Sequence, residues 1–247
     1  MAFRSTAQRW RFVAWWSAGG VPVRFAAAVS KFDADPGNAR RTGSGTATLG
    51  RCCPASFDAN VIDLHRKRMQ DSFAITFRFA ELDEIEAVRA IEFEAAQRFA
   101  GIGMTGIADA QPMKADFVRR KIEMSEIIVA VNEAARCVAF VMFAPLPTRF
   151  YIEELDVLTA WAGRRIGAEL IEQVNLLARK AGARQLVLST FRDVPWNAPY
   201  YRRLGFDVIE SGQLDAKLRA IRAAHVAHGL DESKRVFMCR EVEGAPE

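Results

Sequence analysis

The last two-thirds of this 247-residue chain predict an α/β (α+β) fold, a mixed sheet with helices on its faces. Three observations carry that expectation. Apolar residues alternate in short runs from Ile75 onward, they recur at helical spacing between those runs, and glycines and polar turns separate the two patterns.

The elements follow in order. "ITFRFA" alternates as a strand, and "ELDEIEAVRAIEFEAAQRF" sets Leu82, Ile85, Val88, Ile91 and Ala95 on one helical face. "MKADFVRRKIEM" is a second helix of the same type. Three strand-like runs come next, "EIIVAV", "RCVAFVMFA" and "FYIEELDVL", joined by short polar turns. A long amphipathic helix spans roughly Arg164 to Lys180 and stops at Gly182, where a C-terminal glycine belongs. "RQLVLST" reads as a buried strand, "NAPYYRRL" as a short helix and "GFDVIE" as a strand. The helix "LDAKLRAIRAAHVAHG" and the strand "KRVFMCREV" close the chain.

Residues 1–68 show no such periodicity. They carry eleven Lys and Arg against four Asp and Glu, a net of +7, so the +4 of the whole chain leaves −3 for the remainder. An organellar presequence, a disordered basic arm, or sequence upstream of a native start at Met69 would each account for it. The domain organisation expected is therefore a basic leader over 1–68 and a folded domain over 69–247. Four cysteines, without a CxxC pair or a histidine cluster, predict neither zinc nor a disulfide framework and suit a reduced, cytoplasmic setting. No apolar run reaches the roughly 20 residues that cross a bilayer.

Chemistry concentrates in two stretches. After the strand "EELDV", the segment "LTAWAGRRIGAELIEQV" turns and opens a helix. A helix start offers free backbone N–H groups and the positive end of the helix dipole, which together hold an anion. Gly163 and Gly167 allow close approach, and Arg164 and Arg165 add charge. Neither a dinucleotide fingerprint nor a P-loop is present. The second stretch is "WNAPYYRRLGF", in which Tyr200 and Tyr201 point about 100° apart on a helix and cannot share one role.

In element order and in both motifs, Ile75 to Val242 resembles the GCN5-related N-acetyltransferase (GNAT) family. "AGRRIG" falls on that family's pyrophosphate loop, Gln/Arg-x-x-Gly-x-Gly/Ala. Ala162 stands where Gln or Arg is usual, and Arg165 replaces the central glycine. "YRRLGF" matches the family's Tyr-x-x-x-Gly-Phe segment from Tyr201, while Asn197 stands nearer the tyrosine than is common and reads as a helix cap. The resemblance implies a mostly antiparallel twisted sheet whose two central parallel strands splay near Val157 and Thr190.

It also implies acyl transfer from acetyl-CoA to a primary amine, on a small molecule or a protein. The pyrophosphate would meet the N–H groups of Gly163, Arg164, Arg165, Ile166, Gly167 and Ala168. The pantetheine arm would add to the backbone of Leu155, Asp156 and Val157, with Asn197 beside the cofactor and Tyr201 as general acid. Neither a metal nor nucleic acid is expected, and a homodimer is among the assemblies allowed.

For the general base, alternation in "YIEELDVL" puts Glu154 and Asp156 on one strand face and Leu155 and Val157 on the other. Glu154 is the candidate, with Glu153 beside it and a water chain as the alternative. Carboxylates on a strand's wet face more often do nothing special. His65 lies in the leader, and His225 and His228 are expected on a solvated face. Phe93 and Phe99 are expected in core packing or in an acceptor pocket. A non-catalytic acyl-CoA-binding module of the same fold is the alternative to an enzyme.

Overall fold

Each run with period-2 patterning forms a strand, and each run with helical spacing forms a helix. The structure, a computed structural model, describes residues 74–242; the leader expected over 1–68 lies outside them. The strands are β1 (Thr76–Phe79), β2 (Ile127–Val131), β3 (Cys137–Leu146), β4 (Arg149–Val157), β5 (Gln185–Phe191), β6 (Asp207–Ile209) and β7 (Arg235–Glu241). The helices are α1 (Ile85–Ala96), α2 (Thr105–Ala108), α3 (Ala115–Glu123), α4 (Ile166–Lys180), α5 (Ala198–Arg203) and α6 (Ala216–Ala227). The four-residue α2 and the 3₁₀ turns at Leu82–Glu84 and Gln97–Ile102 were not legible as separate elements. Runs that short hold too few residues to show a period.

The seven strands make one sheet in the order β1-β2-β3-β4-β5-β7-β6. Every neighbouring pair is antiparallel except β4 and β5. That parallel ladder runs from Arg149↔Gln185 to Ile152↔Leu188 and stops, although β4 continues to Val157 and β5 to Phe191. The central strands therefore part company over their last residues.

Both faces of the sheet are covered. Ile166, Leu170, Ile171 and Val174 of α4 pack with Ala198 of α5 against Val141, Phe150, Ile152 and Leu188. On the other face, Ile85, Val88 and Ile91 of α1 and Val118 and Ile122 of α3 meet Val129, Phe140 and Met142. Leu218 and Ile221 of α6 cover Tyr151, Val187 and Phe237. β2 is buried along its whole length, which is why its sequence is apolar throughout rather than alternating. Truncating a central contact such as Leu170, fully buried, to alanine would cost roughly 2–5 kcal/mol.

Some local expectations change. Leu82 is 49% exposed, because its 3₁₀ turn rotates it off the face that α1 buries. Gly182 does end α4, at φ 71°, with the Ala183 N–H donating to the Ala178 carbonyl at 2.9 Å. His225 is not solvated: its Nδ1 lies 2.8 Å from Glu232 Oε1 and its ring stacks on Phe237, since Glu232 folds back under α6. Among the described residues no helix is long and apolar enough to cross a membrane, and no cluster of metal-ligating side chains occurs.

Candidate active site

The parting of β4 and β5 opens a cavity of about 550 Å³. Its walls come from β4, β5, α4, α5, the end of α1 with the segment that follows it, and Arg235 of β7.

One end is the start of α4. The turn before it carries Gly163 at φ 77° and Arg165 at φ 62°, both left-handed. Arg165 thus holds a conformation that glycine adopts freely and other residues take at a cost of about 1–2 kcal/mol. The glycine-to-arginine departure leaves the turn glycine-like and adds a cation. No side chain caps α4, and the first backbone bond into it is Glu169 N–H to the Arg165 carbonyl at 3.0 Å. The N–H groups of Ile166, Gly167 and Ala168 are left to whatever fills the cavity. Arg164 instead lays its guanidinium over the Trp161 ring at 4.7 Å. Gly167 packs tightly: a Cβ there would stand 3.0 Å from the Tyr200 hydroxyl and 3.7 Å from the side chains of Leu155 and Val157.

Beside this end runs β4. Leu155, Asp156 and Val157 pair with Val141, Phe140 and Ala139 of β3 on one side; on the β5 side the ladder has already ended. Their edge is open to an added extended chain.

At the other end three carboxyls converge. Glu154 and Asp156 of β4 meet Glu92 of α1. Burial pushes Glu154 up to about 7, the Arg235 guanidinium partly offsetting it and Glu153 adding to it. Burial and the charges of Glu154 and Glu92 hold Asp156 well above the usual carboxylate range. Burial, reinforced by Glu154, pushes Glu92 up to about 8, against a hydrogen bond that one of its oxygens accepts from the Met113 N–H at 2.7 Å. The expectation that Glu154 and Asp156 lie on a wet face is corrected: they are half-buried in an enclosed wall, because α1 closes over that face of β4.

Tyr201 of α5 stands between the ends. Its ring packs edge-on against Tyr200 at 5.4 Å and Phe206 at 5.7 Å. Burial, with the charges of Glu154, Tyr200 and Asp156, raises its hydroxyl far above the ordinary value, so it stays protonated. Tyr200 sits at the α4 end, where burial raises its hydroxyl and the Arg165 charge opposes that.

Residues 88–206 match the model of the Acetyltransferase (GNAT) family. The segment belongs to the GNAT family. The chain is similar in fold to a PaiA N-acetyltransferase from Thermoplasma acidophilum in complex with coenzyme A, at 15% identity and TM-score 0.52, over 68% of this chain and 99% of that one. A GNAT-family acetyltransferase from Listeria monocytogenes matches at 13% and 0.50, over 68% and 94%. An N-acetylglutamate synthase from Neisseria gonorrhoeae, solved with coenzyme A and N-acetyl-glutamate, matches at 13% and 0.52 over 69% of this chain. There the match spans only 35% of the other chain.

Set within a GNAT fold, Asn197 behaves differently from the cap its position suggested. It occupies the N-cap of α5 but caps nothing with its side chain; its Nδ2 donates to Thr190 Oγ1 at 2.7 Å, tying α5 to β5 at the cavity wall. Phe93 and Phe99 both line the cavity, and Phe99 packs on Phe191 and Trp196 at 5.7 and 5.6 Å. Glu153 lines the cavity beside Glu154, but its carboxylate is paired, 2.6 Å from Lys121 Nζ.

Sequence reasoning missed Glu92, Arg235 and Arg98. Glu92 left a signal, an acid on the same helical stripe as buried Val88 and Ala95. Arg235 is 8% exposed in its side chain and donates to the Ser189 carbonyl at 2.8 Å. Arg98 lies over Trp196 at 4.4 Å. Neither arginine stands out from the other surface-type cations in the sequence.

Proposed function

We propose that the chain is an N-acetyltransferase that moves an acetyl group from acetyl-CoA to a primary amine by direct attack. The observation that carries this is the meeting, in one cavity, of an uncapped helix start, a β4 edge freed from its parallel neighbour, and a protonated tyrosine beside carboxyls raised toward neutrality. The backbone of Gly163 to Ala168 holds pyrophosphate, with Arg164 and Arg165 adding charge, and the open edge at Leu155, Asp156 and Val157 accepts the amides of the pantetheine arm. The tight fit at Gly167 suits a ligand lying directly on the helix start.

Acetyl-CoA supplies the acyl group as a thioester, whose carbon–sulfur bond breaks as the carbon–nitrogen bond forms. Glu154 takes a proton from the acceptor's ammonium, which frees the nitrogen lone pair; a carboxyl held near 7 suits that task at neutral pH. Tyr201 gives its proton to the departing sulfur and regains one from the new amide nitrogen, which sheds its second proton as the carbon–sulfur bond breaks. Asn197 ties the start of α5, the helix that carries Tyr201, to Thr190 of β5. The acceptor is an amino group of a small molecule or of a protein, a class that includes the amino acid whose acetylated form accompanies the Neisseria neighbour. Free Cys137 and Cys239 fit a cytoplasmic setting.

Arg165 and Ala162, at positions where the family pattern has other residues, favour a second reading as a non-catalytic acyl-CoA-binding module. An acetyl-CoA-dependent thiol-release screen over polyamines, amino acids, aminoglycosides and peptide N-termini, with binding measured in parallel, separates them. Thiol release with an acetylated amine as product supports the enzyme. Tight CoA binding without transfer to any acceptor supports the module.

A further inference from the structure

Two consecutive glutamates leave β4 on the same side. The β3–β4 register passes from Met142↔Glu154 directly to Phe143↔Ile152 and skips Glu153, so β4 carries a bulge there. Ile152 before the bulge and Leu155 and Val157 after it all face the α4 core. Strict alternation from Ile152 would have turned Glu154 toward that core and Leu155 toward the carboxyl cluster. The extra residue reverses the assignment for everything beyond it. Without the bulge, neither Glu154 nor Asp156 would meet Glu92.

The bulge is gripped from α3. Lys121 Nζ lies 2.6 Å from Glu153 Oε2, 2.6 Å from Glu126 Oε2 and 3.4 Å from the Phe143 carbonyl. Phe143 is the β3 residue at the register shift, and its N–H donates to the Glu126 carbonyl at 3.0 Å. Lys121 is 2% exposed and Glu126 7%. A single buried ammonium therefore joins α3, the start of β2, and both strands at the point where their register changes. For packing alone an apolar side chain would serve as well or better.

We propose that Lys121 is a positioning residue for acyl transfer: by holding Glu153 at the bulge, it fixes the strand register that turns Glu154 into the cavity. This rests on the reading of Glu154 as the base. The groups facing Glu154 are Glu92 from α1, Tyr151, Glu153 and Asp156 along β4, Tyr201 from α5 and Arg235 from β7. Lys121 does not face Glu154 itself; it acts through Glu153, whose charge it offsets at 2.6 Å. Removing Lys121 bares that charge and makes Glu154 harder to ionise; neutralising Glu153 does the opposite.

The test uses the full chain with Lys121→Met, Lys121→Arg, Glu153→Gln and Glu154→Gln. Acetyl transfer is followed against pH, CoA affinity by calorimetry, and backbone hydrogen exchange across residues 142–154. Lys121→Met should cut kcat by about 10²-fold, move the acid limb of kcat/KM to higher pH and lose exchange protection across the bulge. Glu153→Gln should move the limb to lower pH, and Lys121→Arg should recover most of kcat. A folded Lys121→Met protein with lower Tm but wild-type kcat and limb overturns the proposal. Should that variant not fold, an unmoved limb in Glu153→Gln overturns it. Loss of the limb in Glu154→Gln, with the limb unmoved in Lys121→Met and Glu153→Gln, sinks this inference and spares the base assignment. A limb that survives Glu154→Gln sinks both.

Discussion

The Tyr200 hydroxyl lies 3.0 Å from where a Cβ on Gly167 would stand, so a tyrosine from α5 closes over the first turn of α4. The tyrosine next in sequence, Tyr201, meets Glu154 instead. Adjacent side chains on a short helix thereby serve different parts of one cavity.

That contact predicts a coupled pair. Gly167→Ala should push the Tyr200 ring aside and weaken acetyl-CoA binding by about tenfold, while Tyr200→Phe in the same chain should restore part of the loss, a coupling of about 0.5–1 kcal/mol. Calorimetric affinities for the four proteins of the cycle check it. Unchanged affinity in Gly167→Ala would remove the helix start from the binding site.

For Tyr201, removal of the hydroxyl alone is informative. Tyr201→Phe keeps the ring packed against Phe206 and should lower kcat by about 10²-fold with acetyl-CoA affinity unchanged. Stopped-flow thiol release and equilibrium binding read the two quantities separately; wild-type kcat excludes Tyr201 as the proton donor.

A pH profile tests Glu154. A base raised to about 7 is active only when deprotonated, so kcat/KM should rise with pH up to about 7 and then level off. Below that point the loss should approach tenfold for each pH unit. Glu154→Gln should abolish the slope as well as most of the rate. A profile flat from pH 5 to 8 in the wild-type chain would contradict the assignment.

Glu92 makes a stability prediction. Its carboxyl is raised from 4.5 to about 8 in the folded chain, so the folded state holds the proton more tightly than the unfolded state. The resulting stabilisation is complete below about pH 4.5 and is lost as pH rises through about 8. Glu92→Gln keeps an acceptor for the Met113 N–H without the charge. It should raise Tm at pH 8 by about 2–4 °C, for roughly 1 kcal/mol, with the gain fading toward pH 4.5. A thermal-shift series across that range decides; an equal gain at every pH would assign the effect to packing instead.

The sequence by itself determined the order of elements, the glycine that ends α4 and the positions of Gly167 and Tyr201. These rest on local rules: a period of 2 or 3.6, a left-handed glycine, a fixed spacing from Tyr201 to Gly205. Only the tertiary structure decided what surrounds Glu154. A bulge at Glu153 shifts the register against β3, α1 brings Glu92 from sixty-two residues upstream, and β7 brings Arg235. Such contacts depend on strand register and helix docking across the whole sheet, and the burial that raises the carboxyls exists only after those elements have closed over them.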